Sequence, residues 1–374
     1  MDSLEGLMNS LSKLDKITIS GFKSISHLDL ELKSLNVLIG ANGAGKSNFI
    51  SFFKMLNEMI NQKMQVFVTR SGGANRLLYF GTKKTDMITA RLSFGANSYK
   101  IELEPSQEGK LFFSTERIYY HGPGYQHPWN SNLGSGHLET LLHSDSKAYT
   151  HMRVSDHIIG SLKKWKLYHF HDTSDSSKLK SESIIHDNEF FRSDASNLAA
   201  FLFWLKEKKT EHYNAILKTI KLIAPFIDDF ILEPSKLNPD TIRLAWKHKD
   251  YDDFFDVSQL SDGTLRFICI ATLLLQPDLP STILLDEPEL GLHPYAINVL
   301  GSLFKSISSK TQIIVSTQSL LLVDQLEPED IIVVDYHNDK SEFSRLDSEK
   351  LQDWLDDYTL GELWEKNILG GRPR

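Results

Sequence analysis

The 374 residues contain a single cysteine, no long apolar run and no leader pattern at the start. The one cysteine, Cys269, lies inside the apolar run Phe267 to Leu275, so the chain has no internal disulfide and a reducing compartment fits best. No apolar run reaches the roughly 18 residues that a membrane span requires. The start, Met1 to Lys16, lacks the basic-then-apolar order of a signal peptide. We therefore expect a cytoplasmic protein with no membrane partner.

Positive charge is also in short supply, with 41 Lys and Arg against 49 Asp and Glu, a formal net charge of −8. This balance disfavours nucleic-acid binding over the whole surface but leaves room for a local basic face. No sustained heptad pattern is present, which excludes a long coiled-coil arm. The length allows two ordinary domains or one large domain with an insertion.

The order of predicted strands and helices is typical of an α/β fold. Residues 258–336 alternate helix and strand, as in a parallel sheet. Earlier segments follow either the period of two or the helical spacing of apolar residues. They are strands at 17–19, 28–32, 35–39, 227–233 and 241–247, helices at 48–64 and 195–225, and an antiparallel meander over 87–119.

A glycine-rich segment joins the predicted strand at 35–39 to the helix that follows, and it matches the phosphate-binding loop pattern at every position. Its glycines allow backbone N–H groups to converge on phosphate oxygens, and the helix start adds a positive end. Lys46 would reach the β- and γ-phosphates of ATP, and the Ser47 hydroxyl would bind Mg²⁺. The segment reads Gly40, Ala41, Asn42, Gly43, Ala44, Gly45, Lys46 and Ser47.

A second pattern is an apolar strand that ends in carboxylates, from Ile283 to Pro288. In open α/β sheets, ligands sit at the carboxyl edge of the strands. Asp286 would hold Mg²⁺ and Glu287 would act as general base toward the attacking water. By itself the same run could be an ordinary strand end with solvated acids.

A third pattern, Leu260 to Thr264, precedes the apolar helix 265–275. Ser261, Asp262 and Gly263 would begin that helix and offer a hydroxyl and free N–H groups to an anion. The plain alternative is a simple helix N-cap.

Together these segments resemble the ABC-type ATPase heads of the SMC, RecF and OLD families. The resemblance implies an ABC-type P-loop head in which the signature, Ser261 to Gly263, closes on the nucleotide held by another protomer, and so an ATP-linked homodimer or higher homo-oligomer. It also extends the predicted nucleotide-binding stretch to Asn48. The matching segments are Ile17 to Ser24, Gly40 to Asn48, Leu260 to Thr264, Ile283 to Pro294 and Ile313 to Ser319.

The sequence departs from the ABC pattern at Gln318, where the family commonly places a histidine that senses the γ-phosphate. Glutamine can donate a hydrogen bond but carries no charge, so we expect ATP hydrolysis to be slow. The second metal-facing glutamine of the family has Gln65 as its candidate. The resemblance implies an ATPase core formed by 1–119 and 256–374 around an inserted helical and irregular lid at 120–255.

The basic cluster Lys163, Lys164 and Lys166, with Trp165 interleaved, is the candidate contact for double-stranded DNA. A solvated charged face is the plain alternative. The resemblance further implies DNA repair or antiviral (anti-phage) defence, with a separate nuclease-like effector as a partner. Two other functions stay open: the ATPase subunit of a transporter, and a regulatory scaffold that binds only protein.

Overall fold

The computed structural model describes residues 13–145, 152–170, 172–174 and 176–372. Its strands are β1 Lys16–Phe22, β2 Ile25–Glu31, β3 Leu35–Ile39, β4 Ile88–Phe94, β5 Asn97–Pro105, β6 Leu111–Tyr120, β7 Trp129–Gly134, β8 Trp165–Tyr168, β9 Ser183–Ile184, β10 Ile227–Ile231, β11 Thr241–Ile242, β12 Ala245–His248, β13 Phe254–Asp256, β14 Thr282–Asp286, β15 Gln312–Thr317, β16 Ile331–His337 and β17 Lys340–Arg345.

The helices separate these strands and cover both faces of one sheet. They are α1 Lys46–Ile60, α2 Met64–Arg70, α3 Ala74–Leu77, α4 Leu142–Asp145, α5 Met152–Lys163, α6 Leu198–Lys208, α7 Thr210–Ile223, α8 Asp262–Leu275, α9 Pro294–Ser308, α10 Leu320–Val323, α11 Ser348–Leu355 and α12 Leu360–Glu365, with short 3-10 helices at Lys178–Lys180, Val257–Gln259 and Pro328–Asp330. Among the described residues, no helix is both long enough and apolar enough to cross a membrane.

Two six-stranded sheets organise the molecule. The first is antiparallel, in the order β2-β1-β4-β5-β6-β7. The second, in the order β17-β16-β3-β15-β14-β8, is parallel except for its edge strand β17. The carboxyl ends of β3, β14 and β15 therefore meet at one edge, where open α/β sheets bind ligands.

The parallel sheet is buried on both faces, which explains why every residue of β3 except Asn36 is apolar. Val37 and Ile39 face a core built with α6 to α9, whereas Leu38 faces a core shared with α1 and the antiparallel sheet. Helix α1 lies between the two sheets, because its buried stripe, which includes Phe49 and Phe53, packs in that second core. The predicted α/β fold is confirmed, because a largely parallel sheet carries helices on both of its faces.

Two segment predictions need correction. The single strand predicted at 241–247 is two strands, because β11 pairs with β9 and the chain then changes partner, so that β12 pairs with β10. The single helix predicted at 195–225 is two helices, because the backbone leaves the helical region at Lys209.

The region 120–255 contributes to both large sheets. Strand β7 extends the antiparallel sheet beside β6, and β8 forms the edge of the parallel sheet beside β14. The polar strand Trp129–Gly134 has no clean alternation, so the sequence offered no signal for it. The division of the chain into an ATPase core and an inserted lid, with boundaries at residues 120 and 255, stays a prediction.

Candidate nucleotide site

The glycine-rich segment, here called the phosphate loop (residues 40–47), connects β3 to α1. Gly40, Gly43 and Gly45 have φ values of 153°, 83° and 119°, which glycine adopts readily. A side chain at Gly40 would overlap the carbonyl oxygen of Val334, and one at Gly45 would overlap Ser341. The loop therefore follows a tight path that only glycine permits at these two positions.

Lys46 is buried at the start of α1. Its Nζ donates to the carbonyl oxygens of Gly40 at 2.5 Å and Ala41 at 3.1 Å, so the ammonium group spans the loop. Burial lowers the pKa of Lys46, and the charges of Glu287, Asp286 and Glu289 oppose that shift. Three carboxylates thus lie close enough to interact with this one cation.

Serine hydroxyls from distant parts of the chain brace the loop. Ser341 donates to the carbonyl oxygen of Ala44 at 2.6 Å and lies 2.6 Å from the Ser24 hydroxyl. The side chain of Asn48 donates to Ser24 at 2.7 Å. These contacts fix the end of the loop against β17 and the turn between β1 and β2, while Ser47 stays exposed.

The acidic strand β14 ends beside the loop, in register with β15. Asp286 accepts a hydrogen bond from Ser316, its partner on β15. Glu287 follows with a φ of 44°, unusual for a residue with a side chain, and such strain is common at functional sites. Its Oε1 accepts a hydrogen bond from the side chain of Gln318, just beyond β15. The structure therefore brings Asp286, Glu287 and Gln318 together at the carboxyl edge.

Glu289 is a site residue that the sequence reasoning missed. One oxygen accepts from the Thr317 hydroxyl at 2.5 Å and from the Gln318 backbone N–H at 3.0 Å. The other is buried without a hydrogen-bond partner among the described residues. Burial raises the pKa of Glu289. In the sequence, Glu289 follows Glu287 by two residues at the end of the acidic strand, and this position was the signal that could have identified it.

The signature residues lie on the exposed N-terminus of α8. Ser261 is the N-cap, and its hydroxyl accepts from the Thr264 backbone N–H at 3.2 Å. Gly263 packs so tightly against the chain after β14 that a side chain would overlap the carbonyl oxygen of Gly291. Ser261 and Asp262 remain exposed. Within the described residues, no hydrogen bond joins this helix end to the phosphate loop of the same chain.

Gln65 is not placed with these groups. Its side-chain nitrogen donates to the carbonyl oxygens of Leu111 at 2.7 Å and Leu138 at 2.8 Å, and its backbone N–H donates to Glu139 at 3.0 Å. These bonds hold it against the antiparallel sheet, so its amide nitrogen is already committed there.

The basic cluster is only partly as expected. Lys163 and Lys164 are exposed, but Trp165 is buried in the core against Phe53, because β8 belongs to the parallel sheet. The ring of Trp165 is therefore closed to an incoming base. The ammonium group of Lys166 lies over the exposed ring of another residue, Phe190, at 5.6 Å.

A family model described as "AAA domain, putative AbiEii toxin, Type IV TA system" matches residues 35–324, which include the phosphate loop, the signature and the acidic strand. The Old nuclease of Escherichia phage P2 is 23% identical over 343 residues, covering 82% of this chain and 56% of the nuclease. The chain thus spans little more than half the length of that curated relative.

Two solved structures share the fold. One is an SMC head bound to the C-terminal winged-helix domain of ScpA, with a TM-score of 0.56 and 17% identity, matched over 91% of this chain and 99% of that one. The other is an Smc head with an extended coiled coil, bound to the C-terminal domain of ScpA derived from Pyrococcus furiosus. It has a TM-score of 0.53 and 16% identity over 92% and 98% of the two chains.

Proposed function

The chain belongs to the AAA-domain family whose model spans residues 35–324 and has the fold of ABC-type ATPase heads, and on that premise we propose that it binds ATP, closes into a homodimer around it and hydrolyses it slowly. The observation that carries the proposal is that β3, β15 and β14 pair in parallel, so that the phosphate loop with Lys46 follows the same sheet edge at which Asp286, Glu287 and Gln318 lie. A cation for the phosphates and a carboxylate for water are the parts that such hydrolysis needs.

The donor set suits Mg²⁺, which prefers oxygen ligands and keeps several waters. The exposed Ser47 hydroxyl and the Asp286 carboxylate would hold the ion, which when bound neutralises part of the phosphate charge. Glu287 would accept the proton of the attacking water. Gln318 would orient Glu287 through their hydrogen bond, without adding a charge of its own.

A dimer is proposed because the signature helix end is exposed and has no bond to its own phosphate loop within the described residues. Its hydroxyl and N–H groups would then meet the terminal phosphate held by a second copy. We expect the Glu287→Gln protein to run as a dimer with ATP and Mg²⁺, and as a monomer without ATP. Light scattering coupled to size exclusion measures the mass directly.

The variant Ser261→Arg in the Glu287→Gln background should stay monomeric with ATP, because the bulky arginine side chain blocks the anion site at the start of α8. Ser261→Ala is the matched control, since it loses the same N-cap bond, which costs about 1 kcal/mol, without adding bulk. If the mass of Glu287→Gln, alone or combined with either Ser261 variant, is the same with and without ATP, the result would count against ATP-driven closure.

We propose further that ATP-dependent closure of the dimer regulates its binding to double-stranded DNA or to a separate effector protein, in DNA repair or antiviral defence. Weak, sequence-independent DNA binding should appear only with ATP, in the Glu287→Gln protein. If each of the three lysines Lys163, Lys164 and Lys166 neutralises one phosphate, the plot of log affinity against log salt concentration should have a slope of about −3 per protomer. A gel-shift titration at two salt concentrations measures it.

Replacing these three lysines by alanine should abolish that binding. Alanine at Lys208 and Lys209, which are exposed near the end of α6, is the control for lost positive charge and should change little. If DNA is not bound under any of these conditions, regulation through a protein partner replaces DNA as the output of the ATPase.

A further inference from the structure

The segment from Asn367 to Arg372, here called the glycine segment, follows α12 and turns back onto the phosphate loop. Three of its residues have left-handed backbones: Asn367, Gly370 and Gly371, with φ values of 58°, 82° and 78°. Left-handed conformations are unfavourable for most side chains, so a path that needs three of them is closely specified.

The contact with the phosphate loop is direct. A Cβ built on Gly371 would lie 3.2 Å from the Cα of Gly40, the first residue of the loop. The same atom would lie 3.1 Å from Val333 on β16. Gly371 is buried, so the segment packs on the loop backbone.

One carboxylate on β16 anchors the segment. Asp335 accepts from the Gly371 backbone N–H at 2.9 Å, and a Cβ on Gly370 would lie 2.7 Å from its other oxygen. Gly370 therefore passes too close to this carboxylate to carry a side chain, and Gly371 binds it through its backbone. The anchor leaves the next residue, Arg372, one peptide bond beyond the contact with Gly40.

Arg372 is exposed and makes no hydrogen bond or ion pair with any other residue that the structure describes. Its Cα is one peptide bond, about 3.8 Å, beyond the Cα of Gly371, which packs on Gly40, so the arginine side chain begins beside the phosphate loop. The ammonium group of Lys46 lies at the same end of the loop, 2.5 Å from the carbonyl oxygen of Gly40.

The charge balance favours a second cation there. Lys46 faces three carboxylates, Asp286, Glu287 and Glu289, and the phosphates of ATP add more negative charge. Lys23, the neighbour of the Ser24 that braces the loop, already donates to the Ser51 hydroxyl at 2.7 Å. A nearby buried donor, the Nε1 of Trp364, lies 3.3 Å from the Cβ position of Gly371 and has no partner among the described residues.

We propose that the glycine segment is part of the nucleotide site, and that Arg372 binds the terminal phosphate of ATP. This inference rests on the proposed ATP binding and adds a binding residue from a segment that no phosphate-loop motif includes. Arginine suits the role because its planar fork can donate two parallel hydrogen bonds to a phosphate.

The test compares ATP and ADP affinity by equilibrium titration with Mg²⁺. Arg372→Ala should weaken ATP binding about tenfold, the typical loss for one charge-assisted bond at a partly exposed site, and should change ADP binding by less than about twofold. Arg372→Lys should fall between, since it keeps the charge but loses the fork. Lys218→Ala, which removes an exposed charge from α7, is the control and should match the wild type.

A second pair of variants tests the docking itself. Gly371→Ala should displace the segment and reduce ATP affinity at least as much as Arg372→Ala. Gly109→Ala has a nearly equal φ of 75° and open space around its Cβ, so it carries the backbone strain alone and should leave ATP affinity unchanged. Thermal unfolding of both variants confirms that each is folded.

The outcomes separate the inference from its premise. If the wild type binds ATP in a Lys46-dependent manner, yet Arg372→Ala and Gly371→Ala keep the wild-type ratio of ATP to ADP affinity, the inference is wrong and the ATP site stands. If the wild type binds no ATP, the proposed function itself is wrong.

Discussion

Replacing Glu287 by glutamine should lower the rate of ATP hydrolysis by on the order of 10²–10⁴ while ATP remains bound. The amide keeps the shape of the carboxylate, and its oxygen can still accept the hydrogen bond from Gln318. It cannot take the proton of the attacking water, so only the chemical step is lost. Single-turnover phosphate release measures the rate, and titration with a fluorescent ATP analogue measures binding.

The neighbouring carboxylate offers a discriminating control. Glu289 is buried, and one of its oxygens is committed to Thr317 and to the backbone of Gln318. Glu289→Gln preserves an acceptor oxygen for these donors, and we expect hydrolysis to fall far less than in Glu287→Gln. The reverse order of effects, or wild-type turnover in Glu287→Gln, would assign the general base to another residue.

The local parts of the candidate site were predictable because short segments determine them. The glycines of the phosphate loop set its backbone, and the apolar strand before Asp286 delivers that carboxylate to the sheet edge. Each feature depends on residues adjacent in sequence. The strand β3 was predicted with its observed bounds, Leu35–Ile39, because burial on both faces makes all but one of its residues, Asn36, apolar.

Contacts between distant segments were not predictable in the same way. Glu289 binds Thr317 only because β14 and β15 pair in parallel with Asp286 opposite Ser316, and one sequence does not reveal that register. Trp165 is interleaved among the lysines of the basic cluster in the sequence, yet its side chain is buried, because β8 pairs with β14. The packing of Gly371 on Gly40 also depends on the tertiary fold.

These long-range contacts connect the candidate site to the rest of the fold. The chain beyond β15 binds the carboxylates through Gln318 and continues into α10, which packs against α9 and α12. Helix α12 in turn leads into the glycine segment on the phosphate loop. One continuous run of contacts therefore joins Gln318 to Gly371.

Replacing Lys46 by alanine should weaken ATP binding by about a hundredfold, because the variant loses a charge-assisted contact and leaves nearby carboxylates unopposed. In the structure the ammonium group of Lys46, at the end of the loop, donates to the carbonyl oxygens of Gly40 and Ala41 at its beginning. The charges of Asp286 and Glu287 already act on it there. Without that cation, the same carboxylates would repel the phosphates.

The backbone N–H groups of the loop survive in Lys46→Ala, so binding should weaken without disappearing. Lys54→Ala is the matched control, because it removes the same charge from an exposed position on the same helix, α1. Titration with a fluorescent ATP analogue measures both affinities, and thermal unfolding shows whether each variant is folded. If Lys46→Ala binds ATP as tightly as Lys54→Ala, residues 40–47 are not the phosphate site, since no other cation is placed at the loop by its motif.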